Sequence, residues 1–387
     1  MNQSSTSRIS SPDVLRGFVI ILMALDHIRD FFGSTPFQPE DLTQTYPALF
    51  FTRWITHLCA PIFVFLAGTS AWLYGNKVKD KNLLSRFLLT RGIWFVLLEF
   101  LVVNTSLMFD WPWHKGFVFV QVLWAIGCSM IIMAGLVRLP MRWILGFGIV
   151  LIAGHNLLDG IRPETWGNLS WLWKVMHVGG SFIPFTDSFG LIVAYPLIPW
   201  IGVMTLGYSF GPVMRWEPAR RQSFLWKCGL GILVFFVALR ATNWYGDLQD
   251  WSPQERGGIY SFLSFLNATK YPPSLLYLCM TLGLGALLLW LFERWKSPVT
   301  SFLQVYGQVP FFFYIIHFSL VHLLSKLYYG WEYDFFFSSP DSWPKDYVPN
   351  LGLVYLVWAL FISAMYFVCR WYGNYKFSHT HWWLKYL

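Results

Sequence analysis

The chain has 387 residues, of which 56% are hydrophobic, 20% aromatic and only 12% charged. Soluble globular domains carry roughly 25% charged residues, so a soluble enzyme, a disordered chain and a nucleic-acid-binding protein are excluded and an integral membrane protein remains. The net charge of +8 then describes a distribution across a bilayer rather than a basic patch.

A hydrocarbon core of about 30 Å takes roughly 20 mostly apolar residues in a helix. Ten such stretches are predicted, at 13–33, 51–76, 86–107, 117–137, 141–158, 189–211, 224–240, 272–292, 302–327 and 350–371. Apolarity is continuous through runs such as 232–239 and 284–292, whereas a membrane barrel would alternate. The expected fold class is therefore all-α, a polytopic transmembrane helical bundle forming one domain over 1–387. With the N-terminus in the cytoplasm, eighteen of the 28 basic residues, from Arg8 to Lys385, fall in inner segments. Fourteen of the 20 acids fall outside. That asymmetry supports ten spans with both termini cytoplasmic. The first span has a short polar lead and no small-residue cleavage site, so it is expected to stay as a signal anchor.

The five cysteines, Cys59, Cys128, Cys228, Cys279 and Cys369, are solitary and lie within spans, as small core residues do. Neither a disulfide framework nor a metal site is expected. No phosphate-binding loop, dinucleotide fingerprint or internal repeat is present.

Ionisable groups at membrane depth are costly and mark function. The first span holds Asp13, Arg16, Asp26, His27, Arg29 and Asp30. Arg16 and His27 are eleven residues apart, which places them on one helix face about 16 Å apart along the axis. An arginine at the inner end suits an anionic group, and a histidine near the outer end suits proton transfer or transient acyl transfer. Asp30, near the same face, is expected to orient the His27 imidazole. In the second span Arg53 and His57 share a face, and His57 lies at nearly the depth of His27, so both histidines are expected to face one cavity. The ninth span adds His322, with His317 and Tyr314 deeper. Glu99 lies close to mid-membrane and needs a partner. Lys270, before two prolines at the eighth span, is a candidate for an anionic acceptor. The Arg16-to-His27 geometry suits a cytosolic acyl-CoA donor and an acceptor hydroxyl or amine, so the residues assigned are His27, Asp30 and His57 for catalysis, Arg16 for the donor, and His317, Lys270 and Arg53 for the acceptor. Tyr195-Pro-Leu-Ile-Pro199 predicts a kinked, cavity-lining sixth helix.

The stretch Ser11-Pro-Asp-Val-Leu-Arg-Gly running to Asp26-His27 resembles the opening span of heparan-alpha-glucosaminide N-acetyltransferase-like membrane proteins. The stretches Thr56-His-Leu-Cys-Ala-Pro to Gly68, Tyr195 to Gly202 and Thr269-Lys-Tyr-Pro-Pro-Ser274 resemble later parts of that family, above all its short bacterial members. The Arg16-to-His27 spacing is also similar to an arginine-ten-residues-histidine signature of membrane acyltransferases that decorate surface glycans. The resemblance implies acetyl-CoA as co-substrate, N- or O-acetyl transfer across the bilayer to a sugar or other small polar acceptor, and a multi-pass place in a bacterial inner membrane. It leaves the number of copies in the assembly open, a homo-oligomer included. The rival expectation is a proton-coupled transporter or permease using His27, His57, Asp26 and Glu99.

Overall fold

A computed structural model describes residues 9–381 and 384. Arg8 and Lys385, counted with the inner basic residues, lie outside the described residues. After α1 (Ser11–Phe32) the chain forms α2 (Pro47–Thr56), α3 (Cys59–Val78), α4 (Lys81–Leu98), α5 (Asn104–Met108), α6 (Pro112–Lys115), β1 (Phe117–Val120), α7 (Val122–Leu136), α8 (Met141–Gly154) and α9 (Ser170–Met176). There follow β2 (Ser181–Thr186), β3 (Phe189–Val193), α10 (Leu197–Phe210), α11 (Pro218–Thr242), α12 (Gly258–Leu266), α13 (Leu275–Arg294), α14 (Pro298–Gln308), α15 (Pro310–Tyr329) and α16 (Leu351–Ser378).

Eight helical stretches among the described residues are long and apolar enough to cross a membrane: Pro47–Val78, Lys81–Met108, Met141–Leu158, Leu197–Arg215, Pro218–Thr242, Leu275–Arg294, Pro310–Tyr329 and Leu351–Ser378. The shorter apolar α7 and the 22-residue, charge-bearing α1 stand with them. The chain is an all-α polytopic helical protein.

Several boundaries depart from the sequence expectation for local reasons. The predicted stretch 302–327 is two helices, because Val309 leaves helical space at φ −130°, ψ 46° and Pro310, which has no N–H, opens a new helix. The expected helix starts at 117 and 189 are strands instead. Phe-Val-Phe-Val in β1 is aromatic and β-branched, and it pairs parallel to β3, with Phe117 opposite Gly190. β2 joins antiparallel, giving a three-stranded sheet in the order β1-β3-β2. Pro196 and Pro199 fall at the cap and first turn of α10, where a missing N–H costs nothing. The expected mid-helix kink is therefore absent, and Tyr195 sits on the approach to the helix.

Helix α1 is the central post. It packs against α2, α3 and α13 to α16, and in its 22 residues only Arg16, Phe18, His27 and Asp30 escape burial. By contrast, only 22% of the apolar windows of Met141–Leu158, Pro218–Thr242 and Leu351–Ser378 is buried, so these helices form a lipid-facing rim. Lipid supplies no hydrophobic drive between helices, and close approach through small residues takes its place. At the crossing of α1 with α14, a Cβ on Gly17 would lie 1.8 Å from the Leu303 carbonyl oxygen. A Cβ on Gly307 would lie 1.6 Å from that of Asp13.

Glu99 opens a short π-helical segment, Glu99–Val103, a distortion that often marks a functional or packing constraint. Its carboxylate accepts from the backbone N–H groups of Gln121 at 3.2 Å and Trp124 at 3.1 Å, at the N-terminus of α7. The partner that Glu99 required is thus a helix end, where anions are favoured. Asn104 ties this segment to β1, accepting from Phe119 N–H at 2.7 Å and donating to its carbonyl at 3.0 Å.

Candidate active site

Two cavities lie towards opposite ends of α1, one lined by Asp26 to Asp30 and one by Arg16, and they take the names outer and inner from the orientation expected from the charge distribution. The outer one, about 720 Å³, is walled by Asp26, His27, Arg29 and Asp30 of α1, by loop residues 33–39, by Arg53, and by segments near 179–180, 194–195, 270–271 and 335–343. Rings of Phe119, Tyr195, Tyr271, Phe335, Phe336 and Trp343 stand among these charges. Small-molecule sites commonly set aromatic faces beside a few placed polar groups. The inner cavity, about 420 Å³, is mostly apolar and is lined by Arg16, Ser70, Tyr74, Phe87, Arg91, Phe95, residues of α7, Pro310, Phe311 and Tyr314.

The two cavities are parted by α15 against α1. Tyr314 faces the inner cavity, and His317, one turn on, is fully buried. His317 Nε2 lies 2.6 Å from His27 Nδ1, and His27 lines the outer cavity. Phe318 completes the partition, its ring stacked 4.1 Å from that of His27.

The hydrogen bonds of this pair fix its tautomers. His317 Nδ1 lies 2.6 Å from the Tyr314 carbonyl and 3.2 Å from that of Phe313. Carbonyls only accept, so His317 Nδ1 carries the proton and its Nε2 presents a lone pair. His27 Nδ1–H therefore donates to His317, and the lone pair on His27 Nε2 is left to act as a base or nucleophile.

The remaining charges form a buried network behind His27. Arg53 Nη1 donates to both Asp26 oxygens, at 2.9 and 2.6 Å, and Arg53 Nε donates to Glu40 Oε1 at 2.7 Å. Arg29 Nη2 bridges Asp30 Oδ1 at 2.5 Å and Asp26 Oδ1 at 3.1 Å. Burial alone would raise the Glu40 carboxyl, but Arg53 and then His57 outweigh it and hold Glu40 well below the usual carboxylate range.

Sequence expectation and structure part here at several residues. Arg16, His27, Arg53, Asp30 and Lys270 all line one of the two cavities. Asp30 does not orient His27: its partner is Arg29, and His317 holds the imidazole instead. His317 is accordingly buried behind His27 and does not wall the outer cavity. His57 sits at the break between α2 and α3, buried, with Nε2 3.4 Å from Glu40 and its carbonyl accepting from the Tyr277 hydroxyl at 2.8 Å. It is not among the outer cavity walls, and its side chain meets Glu40, the partner of Arg53. His322 stacks on Phe109 at 4.0 Å and its Nδ1 lies 3.2 Å from the Ser106 carbonyl.

Sequence reading missed Glu40, an acid in a loop whose pairing with Arg53 no spacing reveals. Arg91, within the predicted 86–107 stretch, also lines the inner cavity. Arg16 itself is held by Asp13 at 2.9 Å and by the Ser70 hydroxyl, at the mouth of the inner cavity. Among the described residues no group of three or more His, Cys, Asp or Glu side chains is arranged to hold a metal ion.

A family model described as heparan-alpha-glucosaminide N-acetyltransferase, catalytic, matches residues 8–239. The matched stretch carries Arg16, His27, Arg29, Arg53 and Arg91, while Lys270 and His317 lie beyond it. No curated protein matches the chain.

Proposed function

The chain belongs to the heparan-alpha-glucosaminide N-acetyltransferase family, and from that membership we propose that it moves an acetyl group from cytosolic acetyl-CoA to an amine or hydroxyl of a sugar or other small polar acceptor outside. The host is a bacterial inner membrane, with both termini cytoplasmic and residues 1–387 acting as one domain. The His27–His317 pair carries this reading, because it stands between a cavity lined by Arg16 and Tyr314 and a cavity lined by His27 and the loops.

The anionic end of the donor would rest on Arg16, helped by Arg91, with the pantetheine arm along the apolar wall towards Tyr314. From there the acetyl thioester meets the acceptor at the partition. His27 Nε2 takes the proton from the acceptor N–H or O–H as that atom bonds to the acetyl carbonyl carbon. The carbon–sulfur bond then breaks, and the proton passes from His27 to the departing CoA sulfur. The products are the acetylated acceptor and CoA thiol, so atoms and charge balance. Asp26, bridged by Arg53, stands beside His27 in sequence and supplies negative charge near the imidazolium that forms.

Thermal shift and acetyl-transfer assays on detergent-purified protein test the reading together. A ligand at 100 times its dissociation constant stabilises by about 2.7 kcal/mol. Acetyl-CoA should therefore raise the melting temperature of the wild type and of His27→Gln, and raise that of Arg16→Ala less. Transfer should vanish in His27→Gln. Stabilisation by small solutes with none by acetyl-CoA would replace the acyltransferase with a proton-coupled permease.

A further inference from the structure

A third cavity, about 310 Å³, lies apart from the His27–His317 partition. Its walls include Leu66 of α3, Ser209 of α10, Phe224 and Ile232 of α11, and Leu282 and Ala286 of α13. Apart from Ser209 and Cys228, the lining carries no polar side chain. From Phe224 to Ile232 the wall runs about 12 Å along α11, one of the lipid-facing rim helices. Atoms lining an unfilled space forgo their dispersion contacts, and beside a bilayer the filler of matching chemistry is an acyl chain. Ser209 Oγ is buried in this lining with no hydrogen-bond partner among the described residues. Burying a hydroxyl in hydrocarbon is costly unless the occupant supplies an acceptor.

Cations stand next to this hydrocarbon space. Phe224 and Cys228 also line a wider cleft of about 660 Å³, together with Trp216, Arg220, Ser223 and Lys227. The Arg220 guanidinium lies 4.1 Å from the centre of the Trp216 ring, and Lys227 Nζ lies 5.8 Å from that of Trp226. Neither cation forms an ion pair among the described residues. Their neighbour Arg221 is, by contrast, engaged by Glu293, Nε to Oε2 at 3.0 Å. That pair sets the start of α11 beside the end of α13, and Lys296 just beyond donates to the Ser10 hydroxyl at 2.9 Å. The cleft is therefore level with the start of α1, on the basic side that the charge distribution assigns to the cytoplasm. Anionic lipids of that leaflet attract Lys and Arg at its surface.

We propose that the cleft and the cavity together bind one anionic phospholipid of the cytoplasmic leaflet. Its phosphate rests on Arg220 and Lys227, an ester carbonyl accepts from the Ser209 hydroxyl, and one acyl chain runs along α11 towards Ile232 and Leu282. The site goes beyond the acyltransferase reading and stands without it. The shared walls at Phe224 and Cys228 favour a lipid over a free phosphate, because they set the cations and the apolar cavity side by side.

The test uses the full chain, purified in detergent and stripped of lipid. Dioleoylphosphatidylglycerol, dioleoylphosphatidylcholine and soluble glycerol 3-phosphate are separate probes, read by thermal shift and native mass spectrometry. Wild type should bind phosphatidylglycerol roughly thirtyfold more tightly than phosphatidylcholine, as two cations near an anionic headgroup imply. Glycerol 3-phosphate should not bind measurably. The double variant Arg220→Gln/Lys227→Gln, at two exposed positions, should keep the lipid-free melting temperature and lose that preference. Ala286→Phe, which fills the cavity, should weaken both lipids alike. Ser209→Ala should do the same by about two- to tenfold, and it serves where the larger side chain prevents folding. Equal binding of the two lipids by wild type would overturn the site, as would a preference that survives in the double variant. Glycerol 3-phosphate binding as tightly as the lipid would make the cleft a free-phosphate site and overturn the lipid. Lipid binding untouched by both cavity variants would reduce the site to a charged surface patch and overturn it equally.

Discussion

Truncation of His317 separates a positioning role from a substrate-binding one. In His317→Ala the acceptor 2.6 Å from His27 Nδ1 is removed, and the Nδ1–H is left in a dry partition between Phe318 and α1. A buried donor without its partner costs roughly 1–3 kcal/mol. The loss grows as His27 gains its second proton, because the bond to His317 is then charge-assisted, so it falls mainly on the transition state. At about 1.4 kcal/mol per factor of ten, kcat should drop by about five- to 150-fold, with the acceptor KM nearly unchanged. His317→Gln keeps an amide oxygen able to accept from Nδ1 and should recover a substantial part of the loss. Steady-state acetyl transfer, read as CoA thiol release at saturating acetyl-CoA, gives both parameters. Melting temperatures of the two variants show whether the buried site has merely loosened. A kcat within twofold of wild type in a folded His317→Ala protein would refute the tautomer argument. A raised acceptor KM at constant kcat would restore His317 to the acceptor site.

Two further outcomes follow from the packing and the charge network. Gly17→Ala puts a methyl group where the Leu303 carbonyl lies 1.8 Å away. Overpacking of this kind costs about 1–3 kcal/mol, so the melting temperature should fall and the Arg16 end of α1 should lose donor affinity with it. Glu40 is held below the ordinary carboxylate range by Arg53 and His57 against its burial. Its ionised form therefore contributes stability above its unfolded value of about 4.3, and this is lost as the pH falls through the lower folded value. Glu40→Gln should flatten that acid limb in melting temperature measured against pH, and an unchanged limb would remove Glu40 from the network.

The helical, membrane-crossing character was legible because bilayer thickness imposes a length on every apolar stretch, and eight of the described helical stretches meet it. Arg16 and His27 were legible for the same reason: both sit on one continuous helix, where spacing converts directly into geometry. The partner of His27 was not. His317 lies 290 residues away, and only the packing of α15 on α1 brings the two together. Asp30 was the natural sequence choice, but Arg29, adjacent in the chain and almost wholly buried, captures it first. The strands β1 and β3 were hidden because apolar runs at a membrane boundary look alike whether they continue a helix or pair edge to edge. What distinguishes them is the parallel register that sets Phe117 opposite Gly190, which no local pattern contains.

The two cavities draw on different parts of the chain, and this has a consequence for the chemistry. The inner walls come from α1, α3, α4, α7 and the start of α15, all rigid helices packed by small residues. The outer walls add loops near 33–39, 179–180, 270–271 and 335–343, with Lys270 set in place by Asp247 and His155 rather than by a helix. Loop segments accept substitution with less cost to the fold than packed helices do. On the proposed acyltransferase reading, acceptor recognition can therefore change around a fixed donor channel, with the His27–His317 pair serving both sides. That pair is also where the demands conflict, since the base must face the acceptor while its own proton donor points into the partition. The bond from Nδ1 to His317 resolves the conflict by fixing which nitrogen does which.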